Sequence, residues 1–292
     1  MNTLFLGIGF GLVTASVLAI STVALSLQFG VTRVPNFAHG EIMTVGAYAA
    51  YSTVRVTHNA FLAGLAAVVA GAVIGVAINT LLFGPFRNSN VARLTLFVLT
   101  IAASLIVQNV VLLIYGGSTQ SLPLGGGTPH HVGPFLFTSQ QELIIAAALV
   151  IMLAVHLLLR YTYFGRAQRA VAENLALARA SGINAAQVIH RTWLLTGSLA
   201  GLAGYVLGIS TGGLYPAMGF QFLLVVFAAA ILGGIGQPYG AMAGALLVGI
   251  TMEVSALYIS SDYKTVIAFG LLIIALLVRP QGLVAARQAV TS

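Results

Sequence analysis

No charged residue and no histidine occurs between Met1 and Thr32. A run of this length has few possible fates. In water it would need a protein coat on every side, whereas a bilayer needs only about 20 consecutive apolar residues to be crossed by a helix. Comparable runs recur, and they predict spans at 4–29, 38–53, 60–83, 94–115, 141–160, 192–211, 219–236, 241–259 and 264–279. The second, seventh and ninth are short, which suits a tilted, broken or re-entrant segment. Residues 1–29 lack a basic start and a small-residue exit, so they read as the first span and not as a cleaved signal. The expected class is an all-α polytopic integral membrane protein of about eight or nine segments, with 1–292 as a single transmembrane domain.

Composition agrees. Hydrophobic residues make up 59% of the chain and charged residues 6%, against about 25% charged in soluble domains. The excess of 12 Lys+Arg over 5 Asp+Glu would suggest nucleic acid in a soluble protein. Here it is read as the positive-inside bias that sets topology. With the segment between the fifth and sixth spans inside, Arg33, Arg87, Arg93, Arg160, Arg166, Arg169, Arg179, Arg191, Arg279 and Arg287 all fall inside, and only Arg55 and Lys264 fall outside. This places the N-terminus outside and the C-terminus in the cytoplasm. The chain has no cysteine, which excludes disulfides and thiolate metal sites.

Two connections exceed a tight turn. The outer loop, 116–140, is rich in Gly, Pro and Ser and carries no Lys or Arg. Its His130 and His131 lack the further ligands that a metal site requires, so no metal site is expected. The inner segment, 161–191, differs in kind: from Arg169 to Ala180 it holds only helix-compatible residues, without Gly or Pro, and predicts one helix. Gly182 then serves as its stop.

Small residues mark close helix contacts. Gly197, Gly201, Gly204 and Gly208 do so in the sixth span, and Gly240 and Gly244 in the eighth. Polar residues inside spans are costly and need a reason. His39 and Glu41 begin the second span, where they either cap a helix at an interface or line a path or gate. Gln108 and Asn109 lie within the fourth span and fit interhelical hydrogen bonding or ligand contact. Glu253, central in the eighth, fits structural pairing or a place in the path.

No enzyme constellation emerges. GxxxxGK[ST] and HExxH are both absent, so ATP-driven work would need an ATPase on another chain. Ser198, His156 and His190 are scattered, which argues against an intramembrane serine protease.

Four blocks then stand out in order: RVPNFAHGEIMTVGAYAAY, GRAQRAVAENLALARASGIN, AAAILGGIGQPYGAMAGALLVGI and DYKTVIAFGLLIIALLVRPQGL. Together they resemble the bacterial branched-chain amino-acid ABC permeases of the LivH type, over about residues 30 to 284. The resemblance implies a type II-like ABC importer permease of the bacterial plasma membrane, working by alternating access. It also implies four kinds of partner: the lipid bilayer, a homologous second permease, two ATP-binding cassette subunits that hold the ATP, and an extracytoplasmic solute-binding protein. This chain itself would bind no cofactor. Phe37, His39, Glu41, Asn109 and Glu253 become candidates for the path or gate.

The inner segment becomes the coupling element, with Arg169, Glu173, Ala178, Arg179 and Gly182 as its residues. Wider ABC permeases carry EAA---G at this place. Here ALARASG keeps the glycine but has Ala176 for the glutamate, and Glu173 stands one turn earlier. The implied cargo is branched-chain or related amino acids, with urea or short amides as an alternative within the same class. An ion- or proton-coupled secondary transporter using His39, Glu41 or Glu253 is the rival mechanism, and a homomeric channel is a third.

Overall fold

The computed structural model describes residues 3–86, 93–122, 127–278 and 282–283. The chain is a helical bundle. Its helices are α1 (Thr3–Thr32), α2 (His39–Thr57), α3 (Ala60–Ile78), α4 (Arg93–Tyr115), α5 (Ser139–Tyr161), α6 (Tyr163–Glu173), α7 (Leu175–Ala180), α8 (Ala185–Thr211), α9 (Met218–Gly233), α10 (Pro238–Ser255) and α11 (Lys264–Val278). A π turn at Asn79–Phe83 extends α3. A small antiparallel hairpin, β1 (His130–Val132) with β2 (Phe135–Phe137), sits in the loop before α5.

Each sequence-predicted span coincides with a helix. Six helical stretches are by themselves long and apolar enough to cross a membrane, or seven if the bent pair α9–α10 counts as one. That is fewer than the expected eight or nine, for two reasons. The first is α2, whose His39, Glu41 and Arg55 lower its hydropathy; neighbouring protein, not lipid, buries most of it. The second is the break between α9 and α10, which bends the pair by 119°.

Antiparallel neighbours fix the directions. Along α1 and α10, Gly7 meets Leu257, Gly11 meets Ile250 and Ser26 bonds Gly236. Along α3 and α8, the Tyr205 hydroxyl donates to the Ala60 carbonyl at 3.0 Å, while Phe83 packs on Trp193 at the other end.

Of the six packing glycines, Gly197, Gly201, Gly204, Gly240 and Gly244 lie at helix crossings, whereas Gly208 faces the loop residues Leu214 and Leu122. A Cβ at Gly204 would sit 1.9 Å from the Met43 carbonyl oxygen. At Gly197 and Gly201 it would strike the Gly71 and Ala67 carbonyls, and at Gly244 that of Ala229. The Gly240 carbonyl lies where a Cβ on Gly233 would go. Without side chains the backbones approach closely, and dispersion contacts replace the hydrophobic drive that lipid does not supply.

The inner segment departs from expectation. The single helix predicted from Arg169 to Ala180 is broken at Asn174, which is extended (φ −147, ψ 103) and accepts from Leu177 N at 3.0 Å. The asparagine ends α6 and caps α7, because its side chain competes with helical backbone bonding. Gly182 does act as the stop, with φ +81.

Basic residues separate by end. Arg33, Arg160, Arg166, Arg169, Arg179 and Arg191 gather at the end that holds α6 and α7, while Arg55 and Lys264 lie at the opposite one. Arg93 begins α4; Arg87, Arg279 and Arg287 fall outside the described residues.

Candidate functional site

Between α1 and α2 the chain reverses through residues 33–38 and re-enters the bundle before helix resumes. The consequence is that His39 and Glu41, although first in their helix, are fully buried. Their sequence position permitted an interfacial cap, and the structure replaces that reading with an interior one. The His39 Nε2 lies 3.2 Å from the Ser21 hydroxyl, and Ser21 is roughly 16 Å along α1 from Thr32 at 1.5 Å per residue.

Around this reversal polar groups from five segments converge. Ser104 of α4 donates to a Glu41 carboxylate oxygen at 3.3 Å. The backbone N–H of Phe37 donates to the Thr100 hydroxyl at 3.2 Å. The Asn36 amide donates to Gln28 of α1 at 3.2 Å and its oxygen accepts from Ala38 N at 3.0 Å. From α9, Gly219 N donates to Thr44 at 3.2 Å. The Phe37 ring meets Phe97 edge-on at 5.2 Å and Phe227 at 5.1 Å, so it plugs the space between α4 and α9. Several buried polar atoms still lack a protein partner here: His39 Nδ1, the second Glu41 oxygen, Gln28 Nε2 and the Thr22 hydroxyl. A buried polar group without a partner is costly, and such groups gather where a conformation or ligand has a use for them.

The starts of α2 and α9 also cross here. A Cβ on Gly219 would fall 1.9 Å from the Gly40 carbonyl oxygen. Two helix N-termini, each preceded by an alanine without a side-chain cap (Ala38 and Ala217), therefore meet inside the bundle.

The structure brings Phe37, His39 and Glu41 together but not the other two path candidates. Asn109 is exposed, and its amide returns to the Leu105 carbonyl of its own helix at 2.7 Å. Glu253 has structural partners, Lys264 at 2.7 Å and Thr14 at 2.9 Å. Sequence reasoning missed Ser21, Gln28, Asn36, Thr44, Thr100 and Ser104. Their signal was present as isolated polar residues in apolar runs, but it does not say which helices will face one another.

A second site forms where α6 and α7 cap one end of the bundle. A groove is lined by Ala170, Glu173, Asn174, Leu177, Ala178 and Ser181, and a neighbouring hollow includes Gly182 and Arg191. Four of the five coupling candidates sit at or beside these surfaces: Glu173 and Ala178 in the groove, Gly182 in the hollow, and Arg179 exposed on α7. Arg169 instead donates back to the Leu159 carbonyl and holds α6 against the end of α5.

At the other end, His130 bonds the Glu142 carboxylate at 2.9 Å and ties the hairpin to α5. The Thr128 carbonyl, then Glu142, raise the His130 pKa above its ordinary 6.5. Among the described residues no group of three or more His, Cys, Asp or Glu could hold a metal ion.

Comparison with known proteins gives consistent results. A family described as "branched-chain amino acid transport system / permease component" matches residues 7–276. The high-affinity branched-chain amino acid transport system permease protein LivH of Escherichia coli K12 is 34% identical, covering 94% of this chain and 92% of that one. BraD of Pseudomonas aeruginosa, of the same description, is 31% identical over 94% and 93%. Among solved structures, PsaBC from Streptococcus pneumoniae in complex with Fab shares the fold, with a TM-score of 0.54 at 13% identity, covering 93% of this chain and 91% of that one.

Proposed function

We propose, from the premise that this chain belongs to the branched-chain amino acid transport permease family, that it moves branched-chain amino acids across the plasma membrane on ATP hydrolysed by partner subunits. It is a membrane-spanning permease subunit of an ABC importer and not an enzyme. The observation that carries the mechanism is the buried cluster around Glu41, where α1, α2, α4 and α9 meet through polar contacts and a phenylalanine plug. Packing through specific hydrogen bonds has discrete alternatives, which is what a two-state gate needs.

In this reading Phe37, His39 and Glu41 line the path or gate, joined by Ser104 and Thr100. A solute-binding protein delivers cargo to the face bearing the β hairpin, and a homologous second permease completes the pathway. Of the two ATPases, one docks on α6–α7 of this chain and the other on the second permease. The fold is type II-like, with about eight or nine membrane segments, of which α9 begins inside the bundle. The separation of basic residues supports an outer N-terminus and a cytoplasmic α6–α7 end.

Purification of the intact complex followed by identification of its chains tests this assembly. Two ATP-binding cassettes and a binding protein loaded with leucine, isoleucine or valine are expected. A chain that transports without any ATPase would favour the ion-coupled reading, and urea or an amide in the binding protein would redirect the cargo.

A further inference from the structure

The α6–α7 surface and the Glu41 cluster are separate sites, and an ATP-driven gate must connect them. Among the described residues only Arg33 and His58 have positive φ without being glycine; Arg33 has φ 56. This left-handed position follows the end of α1, with Arg33 N bonded to the Phe29 carbonyl at 2.8 Å. Glycine fills such helix-ending positions without strain, so an arginine there calls for a use of its side chain. Its guanidinium donates to the Ala172 carbonyl near the end of α6, 139 residues away in sequence.

Two further contacts lie beside it. Gln168 of α6 is buried, with its amide 3.5 Å from the Leu27 carbonyl of α1. Gly30 lies against Ala172 and Gly236, which brings the α9–α10 bend to the same point. Beyond Arg33, the bonds of Thr32 with Val34, of Asn36 with Gln28 and of Ala38 with Asn36 stiffen the strap as far as Phe37.

We propose that Arg33 is a coupling residue: it fastens the ATPase-facing helix α6 to the strap 33–38, so that displacement of α6 is delivered to Phe37, His39 and Glu41 through the end of α1. The proposal rests on the reading of α6–α7 as the ATPase-facing element. It asks the arginine side chain to transmit motion and not to touch cargo, which makes Arg33 a positioning residue.

The test uses the whole importer in proteoliposomes, with its binding protein and labelled leucine, and reads leucine taken up per ATP hydrolysed. Arg33→Gly suits the left-handed backbone while removing the guanidinium. It is expected to keep stimulated ATPase activity but to lower the uptake ratio by roughly fivefold or more. Arg33→Lys, which keeps a donor and the charge, is expected to fall between the two. Gln168→Leu cuts the neighbouring tie without altering Arg33, and a lowered ratio is expected again; it supplies the readout if Arg33→Gly fails to insert.

Wild-type ratios in Arg33→Gly and Gln168→Leu would overturn the proposal. Leu177→Arg, on the exposed face of α7, separates this failure from that of the underlying reading. If Leu177→Arg abolishes ATPase docking while Arg33→Gly is silent, only the transmission route is wrong. If Leu177→Arg also assembles and transports normally, the assignment of α6–α7 falls with it.

Discussion

Ser104 on α4 donates a hydrogen bond of 3.3 Å to Glu41 on α2, and both side chains are fully buried. The contact joins a helix with few other partners in the bundle to the helix that carries the motif FAHGE. Ser104→Ala removes the donor and leaves a buried carboxylate oxygen unsatisfied, a change worth about 1–3 kcal/mol. The expected outcome is a lower melting temperature in detergent together with slower uptake. Ser104→Thr, which keeps the hydroxyl, should retain more of both; equal loss in the two variants would show that packing at the site, and not the hydrogen bond, matters.

The α2–α8 crossing admits no side chain at Gly204, where a Cβ would meet the Met43 carbonyl oxygen at 1.9 Å. Gly204→Ala therefore forces the helices apart, and overpacking of this kind costs roughly 1–3 kcal/mol or more. Size-exclusion profiles and thermal scans of the solubilised chain should show loss of folded protein. Gly270→Ala is the control, because a Cβ there meets nothing within 4 Å.

Lys264 and Glu253 form a pair at 2.7 Å between the start of α11 and α10, with side chains 31% and 15% exposed. Lys264→Met strands the carboxylate, leaving it with the Thr14 hydroxyl. The double variant Glu253→Gln with Lys264→Met is expected to be more stable than the sum of the single changes. A coupling of about 1 kcal/mol in a double-mutant cycle would mark the pair as structural.

The hairpin tether depends on pH. His130 has a raised pKa in the folded chain, so its tie to Thr128 and Glu142 is fully present below its ordinary value of 6.5. It is lost as pH rises through the raised value. A spin label at residue 131 should gain mobility as pH is raised above 6.5 through the elevated His130 pKa. His130→Gln should flatten that profile.

The apolar runs made most of this architecture legible, and each of the nine read from sequence is a helix. Local chemistry hid the rest. Asn174 looked like one more residue in a helix-forming stretch, yet its side chain prefers to cap α7, and the element broke in two. The segments 219–236 and 241–259 read as two successive spans, and nothing in the apolar pattern showed the 119° bend between them, where Gly234 and Gly236 have positive φ. A third of the buried cluster, Phe37, His39 and Glu41, was visible because FAHGE places ionisable groups beside an apolar run. Ser104, Thr100, Gln28 and Asn36 were not, because a single polar residue in an apolar helix does not reveal its partner helix. The same limit explains Asn109 and Glu253, which fitted either pairing or the path in sequence and belong to other contacts.

The central claim is that this chain passes branched-chain amino acids under ATP control. The most direct measurement is uptake of labelled leucine into proteoliposomes that hold the purified importer and its loaded binding protein. Accumulation that requires hydrolysable ATP, is competed by isoleucine and valine, and is insensitive to collapse of ion gradients is the expected result. Accumulation without ATP that follows a proton or sodium gradient would contradict the account.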